Sequence, residues 1–192
     1  ADTVTINGAD SLTIKTTVAA SGNIVFNASI TASNAGNALT INCAGDATFR
    51  ENVTSAAVGT FPPPPPPPLP FKGVVVTATN IILDGLVLET TGTDSDVSLT
   101  GAITLSGGPV TVNAVDAISF AGAVTGNQNL TVGVASTIAF NSTVGASSAI
   151  GTGTGDAITV NDTGTCTFDN TVRTQSGIHQ DGVLKNVQTF EI

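Results

Sequence analysis

Val110-Thr111-Val112-Asn113-Ala114-Val115-Asp116-Ala117-Ile118-Ser119-Phe120-Ala121-Gly122-Ala123-Val124 sets the pattern on which the rest of the chain is built. An aliphatic-Thr-aliphatic triplet is followed, eight residues after its last member, by Phe120, and four residues later by Val124. The same spacings recur over residues 130–144, 158–172 and 39–53. Phe140, Phe168 and Phe49 take the aromatic position, and Val144, Val172 and Val53 follow them. Each triplet keeps its Thr: Thr111, Thr131, Thr159 and Thr40.

Within a copy, apolar and small polar residues alternate, as in Val110/Val112 around Thr111 and Ile118/Phe120 around Ser119. A period of two is strand chemistry, and no window carries a 3.6-residue apolar stripe. Short strands at fixed offsets, repeating about every 20 residues, mark a solenoid in which one turn is one supersecondary unit. Equivalent residues of successive turns then lie about 4.8 Å apart, with Phe on Phe, Val on Val and an outward ladder of Thr. A β-sandwich also has many short alternating strands. It gives no reason for the eight-then-four spacing to recur, so the expected fold is an all-β parallel β-solenoid (β-helix).

Residues 1–60 carry a tighter version of the spacing, with Ile6, Ile14, Val18, Phe26 and Ile30 separated by eight, four, eight and four. Phe61, seven prolines at 62–68, Leu69, Pro70 and Phe71 interrupt it. Proline cannot donate to a sheet ladder, so 61–71 is expected as an inserted loop in polyproline II form, about 25 Å long if straight. The pattern resumes at Val74 and is broken again by a Gly-rich insertion at 145–156. No domain boundary is visible, which predicts one solenoid domain over 1–192.

The chain has 192 residues, a formal charge of −9 and five scattered Lys and Arg residues. Nucleic acid and anionic membranes need clustered positive charge, so neither is an expected partner. No apolar run reaches the ~18–20 residues of a membrane span. The first residues, Ala1-Asp2-Thr3-Val4-Thr5-Ile6, already read as strand. A chain whose signal was removed after export opens in this way, as does a cloned fragment. Cys43 and Cys166 fall at inward phases about six turns apart, roughly 29 Å in a solenoid, too far for a bridge. They are expected as small buried hydrophobes.

Chemistry-bearing constellations are sparse. Asp94-Ser95-Asp96 offers oxygens for Ca²⁺ but lacks the glycine-aspartate nonapeptides of calcium-binding β-rolls, and reads as a solvated acidic loop. His179, the one histidine, has no second metal ligand at a suitable spacing. Carboxylates such as Asp46, Asp84, Asp116 and Asp169 sit at turn positions, where turn chemistry explains them. Trp and Tyr are absent, removing the usual sugar-stacking platform. The expectation is no enzyme, no cofactor and no metal. Asn27, Asn52, Asn129, Asn141 and Asn161 head Asn-x-Ser/Thr sequons, about as many as chance supplies in so Ser/Thr-rich a chain.

Two features point to assembly. A rigid proline run flanked by Phe61, Leu69 and Phe71 suits a strut or a docking element, with Pro62, Pro65 and Pro68 among the expected contact residues. The strand patterns around Val4 and Ile6, and around Phe190 and Ile192, continue to the ends of the sequence without an atypical capping turn. Uncapped edges are templates for another chain, whether a like subunit or more of a larger protein.

With these Thr-, Gly-, Ala- and Asn-rich degenerate strand repeats, the whole chain resembles the β-strand-repeat regions of bacterial surface exoproteins, the filamentous-haemagglutinin-like adhesins and autotransporter passengers. The resemblance implies a right-handed β-helix, an extracellular or cell-surface location, and a proline-rich loop projecting from the helix at 62–70. It implies a structural, self-assembling role in a filament or adhesin stalk. A passenger fragment binding a host or glycan receptor, and a carbohydrate-active β-helix enzyme, stand behind that reading.

Overall fold

Alternation of β-branched or aromatic residues with small polar ones leaves each segment able to bury one face, and a spacing repeated from pass to pass lets equivalent strands stack in parallel register. The computed structural model describes residues 3–6, 12–16, 22–32, 38–56, 73–133, 135–161, 164–185 and 190–191, with backbone alone at 3–6, 184–185 and 190. Among the described residues it is all-β, with no helix, and every strand pairing is parallel.

Three ladders run side by side, their strands numbered in chain order. The first stacks β1 (Thr3–Ile6), β4 (Ser29–Ala32), β7 (Val53–Ser55), β9 (Val87–Thr90), β11 (Val110–Asn113), β14 (Leu130–Gly133), β16 (Ile158–Asn161) and β19 (Ile178–Gln180). The second stacks β2 (Leu12–Lys15), β5 (Leu39–Asn42), β8 (Gly73–Asp84), β10 (Asp96–Ser106), β12 (Ala117–Phe120), β15 (Thr137–Phe140), β17 (Thr165–Phe168) and β20 (Val183–Lys185). The third holds β3 (Ile24–Phe26), β6 (Asp46–Phe49), the second halves of β8 and β10, and β13 (Val124–Gly126). Single pairings Val124–Val144 and Val144–Val172 carry it on to β18 (Val172–Arg173) and β21 (Phe190–Glu191). The chain visits first, second and third ladder in that order on each pass.

The long strands β8 and β10 cross from the second ladder to the third without a break. Where they bend, Gly101 alone lies against Ala78 and Thr79, because the register jumps between Thr100 and Ala102. Gly101 has φ +143°, and a Cβ there would come within 2.1 Å of the Ala78 carbonyl oxygen. Glycine is what lets the two backbones close on each other.

The core is a set of columns. Phe120, Phe140 and Phe168 stack with ring centroids 4.5 Å apart, and each is no more than 1% exposed. Thr111, Thr131 and Thr159 line up, as do Val124, Val144 and Val172, in agreement with the sequence pattern. The fourth copy is out of phase. Leu39–Asn42 lies in the second ladder, with Thr40 beside Thr13 and Val75 rather than beneath Thr111. Phe49 pairs with Phe26 and Leu83 in the third ladder, while the Phe120 column continues through Leu99, Val76, Ile41 and Ile14. Residues 39–53 match 110–124 in spacing but begin one ladder later.

Cys43 and Cys166 are both buried. From β5 to β17 there are five strand steps rather than the six expected, still about 24 Å. The polyproline segment 61–71 lies outside the described residues.

Candidate functional site

Side chains at the corners tie successive strands together. Asn23 Oδ1 accepts the Asp46 backbone N–H at 2.8 Å, Asn52 Oδ1 that of Val87 at 2.9 Å, and Asn129 Oδ1 that of Thr152 at 2.9 Å. Asp96 Oδ1 accepts from Ala117 N at 3.1 Å, and Thr16 Oγ1 from Ala44 N at 2.9 Å. These side chains therefore close backbone donors of the following pass, which is a structural use.

Among the described residues, the acidic side chains and hydroxyls serve turns and corners. Ser95 is fully buried and its Oγ donates to the Gly92 carbonyl, so Asp94-Ser95-Asp96 does not present three oxygens to one point. Burial pushes the Asp96 carboxyl above the usual range, the charges of Asp116 and Asp94 push the same way, and the Ala117 N–H opposes them. No cluster of three or more His, Cys, Asp or Glu side chains stands at metal-binding distance among the described residues. His179 is exposed on β19 and faces Asp181, Nε2 to Oδ1 at 3.0 Å. A shallow depression of about 360 Å³ is lined by Lys15, Thr16, Asn42, Cys43, Ala44 and Thr77. The Cys43 thiol in its lining has the Gly22 and Asp46 carbonyls at 2.9 and 3.2 Å as acceptors for its single proton. No imidazole or carboxylate lines that depression to take up its proton.

The ladder ends are different. Among the described residues β1, β2 and β3 each pair with one neighbour, and so do β19, β20 and β21. Leu12, Ile24, Phe26 and Ile178, near these ends, pack on the core yet are only partly buried. Val25 and Val183, at outward positions of β3 and β20, are 48% and 53% exposed, which reflects the direction they face rather than the state of the columns. Among the described residues, each end thus combines strands paired on one side only with apolar residues that are only partly buried.

Of the residues expected to make assembly contacts, Val4 and Ile6 lie in the edge strand β1, and Phe190 in the edge strand β21 opposite Val172. Phe61, Pro62, Pro65, Pro68, Leu69, Phe71 and Ile192 lie outside the described residues. Sequence reasoning passed over Gln180, although comparing Ile158-Thr159-Val160 with Ile178-His179-Gln180 exposes it as a polar residue at an inward position.

The chain matches no family model, no curated protein and no solved structure.

Proposed function

We propose that the chain is a right-handed parallel β-solenoid of roughly 20-residue turns, lengthened by insertions, that serves as a structural, self-assembling element of an extracellular cell-surface filament or adhesin stalk. Its partners are like subunits or neighbouring segments of a larger surface protein, joined through the solenoid ends and the 61–71 polyproline loop. The repeated passage through three parallel ladders supports the solenoid, and parallel crossovers are right-handed in nearly all proteins. Register partners such as Val110 and Leu130, or Ile158 and Ile178, are 20 residues apart. An acidic chain with few charges and a Thr-, Ser- and Asn-rich surface supports the extracellular setting.

The observation that supports the reading is the pair of ladder ends, where each described end strand pairs on one side only and the apolar residues Leu12, Ile24, Phe26 and Ile178 are only partly buried. Negative-stain electron microscopy of the purified chain beside a variant lacking residues 62–70 tests it. Filaments of uniform width that vanish in the deletion support the reading and assign the proline run to the contact. Dispersed short rods in both samples overturn self-assembly and leave a receptor-binding adhesin fragment.

A further inference from the structure

The inward position held by Gln180 in β19 belongs, through the first ladder, to Ile30, Val53, Leu88, Val112, Val132 and Val160. Each of those aliphatic residues is no more than 1% exposed. Gln180 puts a carboxamide at the end of this column. Both its Oε1 and its Nε2 are buried without a hydrogen-bond partner, and so is Ser176 Oγ in the corner before β19. The other interior hydroxyls with described bonds are satisfied: Thr90 donates to the Ser95 carbonyl, Ser95 to that of Gly92, and Thr174 to that of Ser176.

Val160, beneath Gln180, offers neither donor nor acceptor. Among the described residues no strand pairs with the far edge of β19, and that is the side from which one can be supplied. A parallel strand added there brings its own inward residue about 4.8 Å from Gln180, the spacing at which carboxamides form side-chain ladders.

We propose that the β19 edge takes a parallel strand bearing Asn, Gln, Ser or Thr opposite Gln180, and that β1 of a second copy is not that strand. In β1 the matching register position is Val4, opposite Ile30 at the other end of the ladder. A slip of two residues brings Ile6, again aliphatic, and a slip of one turns the apolar residues outward. The inference rests on the reading above and narrows its partner. The C-terminal edge of the first ladder continues into a segment of different sequence, as within a larger surface protein.

A four-member cycle in the full chain tests it: wild type, Val4→Gln, Gln180→Val and the double variant, each followed by sedimentation over a concentration series. The wild type sets a polar residue against an aliphatic one, each single variant sets like against like, and the double variant restores the mismatch. Both single variants are expected to raise the association constant at least tenfold, and the double variant to return to the wild-type value. Wild-type association as strong as that of the single variants overturns the proposal. So does an equally strong double variant, or no association in any member. Val4→Thr replaces Val4→Gln if the latter fails to fold. Filaments by microscopy with a flat cycle would overturn this inference and spare the structural reading, whereas dispersed rods with the expected cycle would do the reverse.

Discussion

The ring of Phe140 lies 4.5 Å from that of Phe120, inclined to it by 5°, and 4.5 Å from that of Phe168 on its other side. That distance is close to the step between paired strands, so backbone register itself carries the rings into contact. Phe140→Ala removes the middle of the stack and should cost about 3–5 kcal/mol. Denaturant unfolding reads this directly. A loss under about 1 kcal/mol would mean that the column does not anchor the core.

Gly101→Ala should destabilise by roughly 1–3 kcal/mol from the backbone conformation alone, before the clash with the Ala78 carbonyl is counted. Gly108→Ala is the matched control, since a Cβ there meets nothing closer than 3.5 Å. Thermal scans of the two variants should separate clearly. Equal midpoints would show that the β8–β10 bend does not depend on glycine.

Asn52→Ala removes the acceptor of the Val87 N–H and should cost about 0.5–1.5 kcal/mol. Asn52→Asp keeps an oxygen in place and should lose less. If the two variants lose stability equally, the side chain matters for something other than this bond.

Asp96 carries a pH dependence. Its folded-state pKa stands above the ordinary 3.8, mainly through burial, so the fold favours the protonated carboxyl. The stabilising contribution is complete below the unfolded value and is lost as pH rises through the folded one. Asp96→Asn should therefore raise the thermal midpoint at pH 7, by only about 1–2 °C because the group is partly exposed. The gain should fade near pH 3. A gain that persists there would trace to something other than ionisation.

The strands, their parallel stacking and the aromatic column were legible in residues 110–172, because the inward positions are apolar at constant spacing, Phe recurs at one of them, and the residues between are small or polar. The phase of residues 39–53 was not. Ile41 to Phe49 to Val53 and Val112 to Phe120 to Val124 have identical spacings, and only strand pairings such as Thr40 with Val75 and Phe49 with Leu83 reveal that one begins a ladder later. The union of Val74–Val76 with Ile81–Leu83 in the single strand β8 was hidden for a related reason. Nothing at Thr77–Asn80 looks unlike a turn until Gly101 is placed against it. Gln180 was readable as an intruder in an aliphatic column, but only once the column was known.

Because adjacent ladders accept the same spacing, a stretch of this chain carries no fixed address on the molecule. Duplicating one strand and its corner would advance everything downstream by a single ladder, losing one would set it back by one, and either way apolar residues would still point inward. Such a chain could change length in increments smaller than a whole pass, because every downstream segment can move to the neighbouring ladder and keep its apolar face inward.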